Sequence, residues 1–106
     1  MNSFKKTYKQ LTEEAIDILL KVKLNIKDNS ECVWTSYENA KDIRDDIDKY
    51  ILELEKGNNN LLDETYSHFL PTSTFQEHSM SNNWTTEYHK LSEKFDQLYK
   101  RIKNYG

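Results

Sequence analysis

Residues 84–105 read WTTEYHKLSEKFDQLYKRIKNY, and they decide the fold class. Trp84, Tyr88, Leu91, Phe95, Leu98, Ile102 and Tyr105 recur at spacings of four and three over three heptads. In a helix that spacing puts all seven on one stripe, the pattern for shallow-angle packing against a second long helix. The same alternation recurs near the start of the chain. Phe4, Tyr8, Leu11, Ala15, Ile18 and Val22 form a stripe that Leu19 and Ile26 widen, with Ser3 as the expected N-cap. This predicts a first helix over about residues 4–27, ended by the turn-forming run Lys27–Glu31. A second helix is expected to start at Thr35 or Ser36, where Thr35 and Glu38 have capping-box spacing. Ala40, Ile43, Ile47, Tyr50 and Leu54 carry its stripe, with Tyr37 and Ile51 alongside, and Gly57 marks a left-handed terminus.

Between Gly57 and Trp84 the pattern breaks into shorter pieces. Asn60 is placed to cap a short helix bearing Leu62, Tyr66, Phe69 and Leu70, which Pro71 cannot continue. Ser73 with Gln76, and Thr74 with Glu77, are overlapping capping boxes, so a helix is expected to restart near Phe75 and close at Asn82-Asn83. These elements predict an all-α fold: residues 1–106 form one domain, an antiparallel up-down bundle of three long helices with one or two short helices in the 60–82 connection. Two glycines and one proline suit long helices better than hairpins, and thirteen aromatic residues argue against disorder.

Composition narrows the function classes. Cys32 is alone, which excludes a disulfide framework and suits a reducing compartment. The N-terminal residues lack an apolar signal-type run, and no apolar stretch approaches the about 20 residues of a membrane span. The expected setting is cytoplasmic, away from membranes. A net charge of −3 argues against general nucleic-acid affinity. Lys5, Lys6 and Lys9 at one end and Lys100, Arg101 and Lys103 at the other could still converge, with Tyr8, Tyr99 and Tyr105 interleaved for stacking. Basic residues near a helix C-terminus also simply complement its dipole.

Four further patterns bear on function. Glu64 with His68, and His89 with Glu93, are four apart on helix faces, a spacing from which a bundle metal site could be assembled. No Glu-x-x-His or His-x-x-x-His occurs beside them, so surface histidines are the plainer reading, with no cofactor. Asp42, Asp45, Asp46 and Asp48 lack the glycine turn of a calcium loop and are interleaved with Lys41, Arg44 and Lys49. A solvated, salt-bridged face is expected there, including an Asp45–Lys49 pair. Cys32 has no neighbouring histidine, and no nucleophile elbow or phosphate loop is present, so an enzyme is not expected. Residues 68–84, HFLPTSTFQEHSMSNNW, are instead poor in charge and rich in aromatic and hydroxyl groups. That composition fits the centre of a binding surface, although Phe69, Leu70, Phe75, Met80 and Trp84 could equally plug one end of the bundle.

Pro71-Thr72, Phe75-Gln76-Glu77, Ser79, Asn82, Trp84, Leu91 and Phe95-Asp96 resemble a pattern in small uncharacterised bacterial helical proteins. The resemblance covers the last third of the chain and implies a bacterial setting but no activity. The expected function is therefore that of a non-enzymatic intracellular protein that binds another protein, for example as an inhibitor or immunity-type partner. Phe75, Gln76, His78, Asn82 and Trp84 are the expected contact residues. The alternative is a metalloprotein built on Glu64, His68, His89 and Glu93, and the long heptad faces leave homo-oligomerisation open.

Overall fold

The computed structural model describes residues 5–105. They form five helices, with no strand among them: α1 (Tyr8–Asn25), α2 (Ala40–Glu55), α3 (Leu62–Ser67), α4 (Thr74–Ser81) and α5 (Thr85–Lys103). The two longest, α1 and α5, pack together, and α2 packs on α1. Tyr8 meets Tyr105 edge to face at 5.5 Å, so the start of α1 lies beside the end of α5. At the other end of α1, Lys23 pairs with Asp48 at 2.6 Å and the Arg44 guanidinium donates to the Ile26 carbonyl at 2.7 Å. The predicted stripes are the buried faces: Leu11, Ala15, Ile18, Leu19, Val22 and Ile26 from the first helix, and Ala40, Ile43, Ile47, Tyr50, Ile51 and Leu54 from the second. From α5 come Tyr88, Leu91, Phe95, Leu98 and Ile102. Trp84 is buried just before α5, whereas Tyr105 lies beyond its end and is 43% exposed.

Helix ends depart from the sequence reading in instructive ways. Ser3 and Phe4 lie outside the described residues. Thr7 caps α1 through a complete capping box with Gln10. Thr35 does not cap the second helix. Its hydroxyl donates to the Cys32 carbonyl at 2.8 Å and accepts from the Tyr37 amide, folding residues 32–37 into a turn, and Asn39 caps α2 by accepting from Asp42. Tyr37 therefore precedes the helix. At α3, Leu61 rather than Asn60 occupies the cap position, without a side-chain bond. Neither capping box forms at α4: Ser73 makes no cap bond, and the Gln76 side chain instead accepts from the Thr72 amide at 2.6 Å.

Two helix stops match their residues. Gly57 has φ +75°, with the Asn58 amide donating to the Glu53 carbonyl and the Gly57 amide to Leu54. Asn83 has φ +66°, with the Trp84 amide donating to Ser79. The first is a Schellman closure and the second has its 6→1 bond, and each needs a left-handed residue that glycine and asparagine tolerate best.

α3 docks on α5 mainly through aromatic groups. Tyr66 stacks on Tyr99 at 3.9 Å, Tyr66 donates to Asp96, and Tyr99 donates to Asp63 at 2.7 Å. Phe69 stacks on Phe95 at 4.4 Å, and the Tyr88 hydroxyl donates to the Phe69 carbonyl at 2.6 Å. These contacts bring the 67–74 connection against the turn at 32–37, where the candidate site lies.

Candidate functional site: an uncharged cleft at the 32–37 turn

Two chain segments without an acidic residue, lysine or arginine meet here: 32–37 (CVWTSY) and 67–76 (SHFLPTSTFQ). Asn82 ties the first of them to α4. Its side chain accepts from the Glu31 amide and donates to the Glu31 carbonyl, both at 2.8 Å, and also donates to the His78 carbonyl. Between the segments lies an open cleft of about 530 Å³, within the range of ligand pockets. Its walls are Trp34, Thr35, Ser36, Ser67, His68, Leu70 and Thr72 through Thr74. Six of these nine residues carry hydroxyls and none is Asp, Glu, Lys or Arg, in a chain where those four types make up 31%. Trp34 is 71% exposed and Leu70 40%. Large side chains left this exposed at a concave site are the usual anchors of recognition.

The cleft floor is organised by His68. The Tyr50 hydroxyl donates to Glu64 Oε2 at 2.8 Å, so its oxygen accepts from His68 Nε2, also at 2.8 Å. His68 Nδ1 is then left to accept from Thr74 Oγ1 at 2.8 Å. The chain Thr74–His68–Tyr50–Glu64 thus has consistent donors throughout and a neutral imidazole. Burial depresses the His68 pKa, although the carboxylates of Asp46 and Glu64 pull the other way. Tyr50 and Tyr37 are pushed well above the ordinary tyrosine range, first by burial and next by their bonds to Glu64 and Asp46. Thr72 has φ +63°, a left-handed conformation unusual for a β-branched residue, and it sits on the cleft wall.

Of the residues expected to contact a partner, three are enclosed and two hold backbone near the cleft. Phe75, His78 and Trp84 are 1%, 0% and 7% exposed, so they offer no contact area. The Trp84 indole N–H donates to His78 Nδ1 at 2.9 Å; the ring proton therefore sits on Nε2, a buried nitrogen without a partner among the described residues. Gln76 holds the Thr72 backbone and Asn82 holds Glu31. Met80, a candidate end plug, is 51% exposed instead.

The other candidates resolve into local pairings. Glu64, His68, His89 and Glu93 are not gathered: Glu64 and His68 meet only through Tyr50, and His89 lies exposed against the Tyr88 ring. Among the described residues no group of three or more His, Cys, Asp or Glu could hold a metal ion. The acidic run on α2 is salt-bridged, but Asp45 pairs with Lys41 while Lys49 lies near Asp46 and Glu64. The two basic ends do converge beside Tyr8 and Tyr105, where Lys6 pairs with Glu14 and Lys100 with Asp96. Cys32 is buried and its thiol pKa is raised by burial and by Glu31, the opposite of an activated thiolate. No helix among the described residues is long and apolar enough to cross a membrane. Comparisons with family models, with curated proteins and with solved structures return no match to this chain.

Proposed function

We propose that this chain is a non-enzymatic cytoplasmic protein of bacterial type, working as an up-down three-helix bundle that binds another protein through the cleft beside Trp34. An inhibitor or immunity-type partner is the concrete form of that reading. The observation that carries it is the exposed Trp34–Leu70 rim around a concave surface without formal charge. Exposing an indole to water costs free energy that a bound partner recovers, and tryptophan is the residue most enriched at binding hot spots. Gln76 and Asn82 serve the site by holding Thr72 and Glu31, and buried Phe75 packs against the His68 ring of the cleft floor.

The test is cross-linking of the native complex, with a photoreactive residue placed at position 34 or at position 24 on α1. Cross-links from position 34 that dominate, and a complex lost on size exclusion with Trp34→Ala, are expected. A complex unaffected by Trp34→Ala and linked through position 24 refutes the assignment.

A further inference from the structure

We propose that the segment recognised in this cleft is an uncharged stretch of peptide, anchored by one aromatic or aliphatic side chain against Trp34 and Leu70. This rests on the binding role proposed above and names the chemistry of the partner. A charged side chain entering the cleft would leave water without meeting an opposite charge, since no Asp, Glu, Lys or Arg lines it. Burying an unpaired charge is strongly unfavourable, so the walls select against such segments. The one ionisable lining group, His68, already uses both ring nitrogens on Tyr50 and Thr74.

The groups left for a ligand are neutral. Thr35, Ser67 and Thr72 donate their hydroxyls to the carbonyls of Cys32, Glu64 and Pro71. The hydroxyls of Ser36 and Ser73 and the Trp34 indole N–H have no hydrogen-bond partner among the described residues, so they can serve the amide groups of an incoming backbone. Ser73 is free because it does not cap α4. Leu70, the aliphatic residue that lines the cleft with the indole, favours a side-chain anchor over a sugar ring.

Selection of a displayed random peptide library on the full chain tests this. Recovered peptides are expected to be depleted in Asp, Glu, Lys and Arg and enriched in aromatic and aliphatic residues. Trp34→Ala should weaken them by about tenfold or more. Raising salt from low to high should change their affinity by less than about twofold, because no exposed ion pair is involved. Ser73→Lys, checked for helicity, should shift the selection toward acidic peptides. Recovered peptides rich in charge but still competing at Trp34 overturn the neutral-segment assignment and leave the cleft as the binding site. Cross-links of the native complex away from position 34 overturn the site itself. Failure to enrich any peptide over an unrelated protein, or binding to immobilised glycans alone, overturns the peptide assignment.

Discussion

Replacing Trp84 with phenylalanine tests its buried hydrogen bond to His78. The substitution keeps an aromatic ring but removes the N–H that donates to His78 Nδ1 at 2.9 Å. His78 is fully buried and its Nε2 has no partner among the described residues, so the imidazole would lose its one side-chain bond among them. An orphaned buried polar group costs about 2 kcal/mol, and the smaller ring adds about 1 kcal/mol of lost packing. For 106 residues the unfolding entropy is about 0.2 kcal/mol per kelvin, so Tm should fall by about 13 °C. His78→Leu alone leaves the Trp84 N–H unpaired but also removes the unpartnered Nε2, so it should cost less than Trp84→Phe. The double variant removes both polar atoms and should be more stable than the sum of the singles implies by about 2 kcal/mol or more. Urea unfolding of the four proteins measures this, and additivity within about 0.5 kcal/mol would refute the coupling. The pH profile gives a second check. Burial lowers the His78 pKa below its ordinary value of 6.5, so below that value the unfolded chain binds the extra proton. Stability should fall as pH drops through and below 6.5, and His78→Leu should flatten that slope, leaving the share of His68.

Further substitutions probe the remaining geometry. Tyr50→Phe takes the shared phenol from Glu64 and His68 and should cost about 1–2 kcal/mol, read as a lower urea midpoint at unchanged m value. Gly57→Ala meets no neighbouring atom, so its cost is backbone strain at φ +75°, about 1 kcal/mol or 4–5 °C in Tm. Thr72→Gly relieves the left-handed threonine at φ +63° and should raise stability by about 1 kcal/mol. A gain in Tm accompanied by weaker binding would show that the strain positions the cleft wall.

The helices and their buried faces were legible in the chain because both are local properties. A four-three repeat of Leu, Ile, Phe and Tyr specifies which side of a helix leaves water, and Gly57 specifies a left-handed stop wherever the helix packs. Helix starts were less legible, because capping competes among neighbouring polar side chains. Thr35, Asn60 and Ser73 all had plausible spacing, yet Thr35 folds its own turn, Leu61 stands in the cap position of α3, and Gln76 is drawn to Thr72. The candidate site followed the same division. Low charge in residues 71–84 was visible in the sequence, and part of that stretch forms one wall of the proposed cleft. The sequence did not reveal that residues 32–37, also uncharged, would face that connection across a cleft. That pairing depends on Asn82 bonding Glu31 across 51 positions of chain, and on α3 docking through Tyr66 and Phe69. Periodicity determined what is buried. Only the tertiary contacts decided that Trp84 and His78 would be enclosed while Trp34 was left in water, because burial of a residue outside a repeating stripe depends on which distant segment covers it.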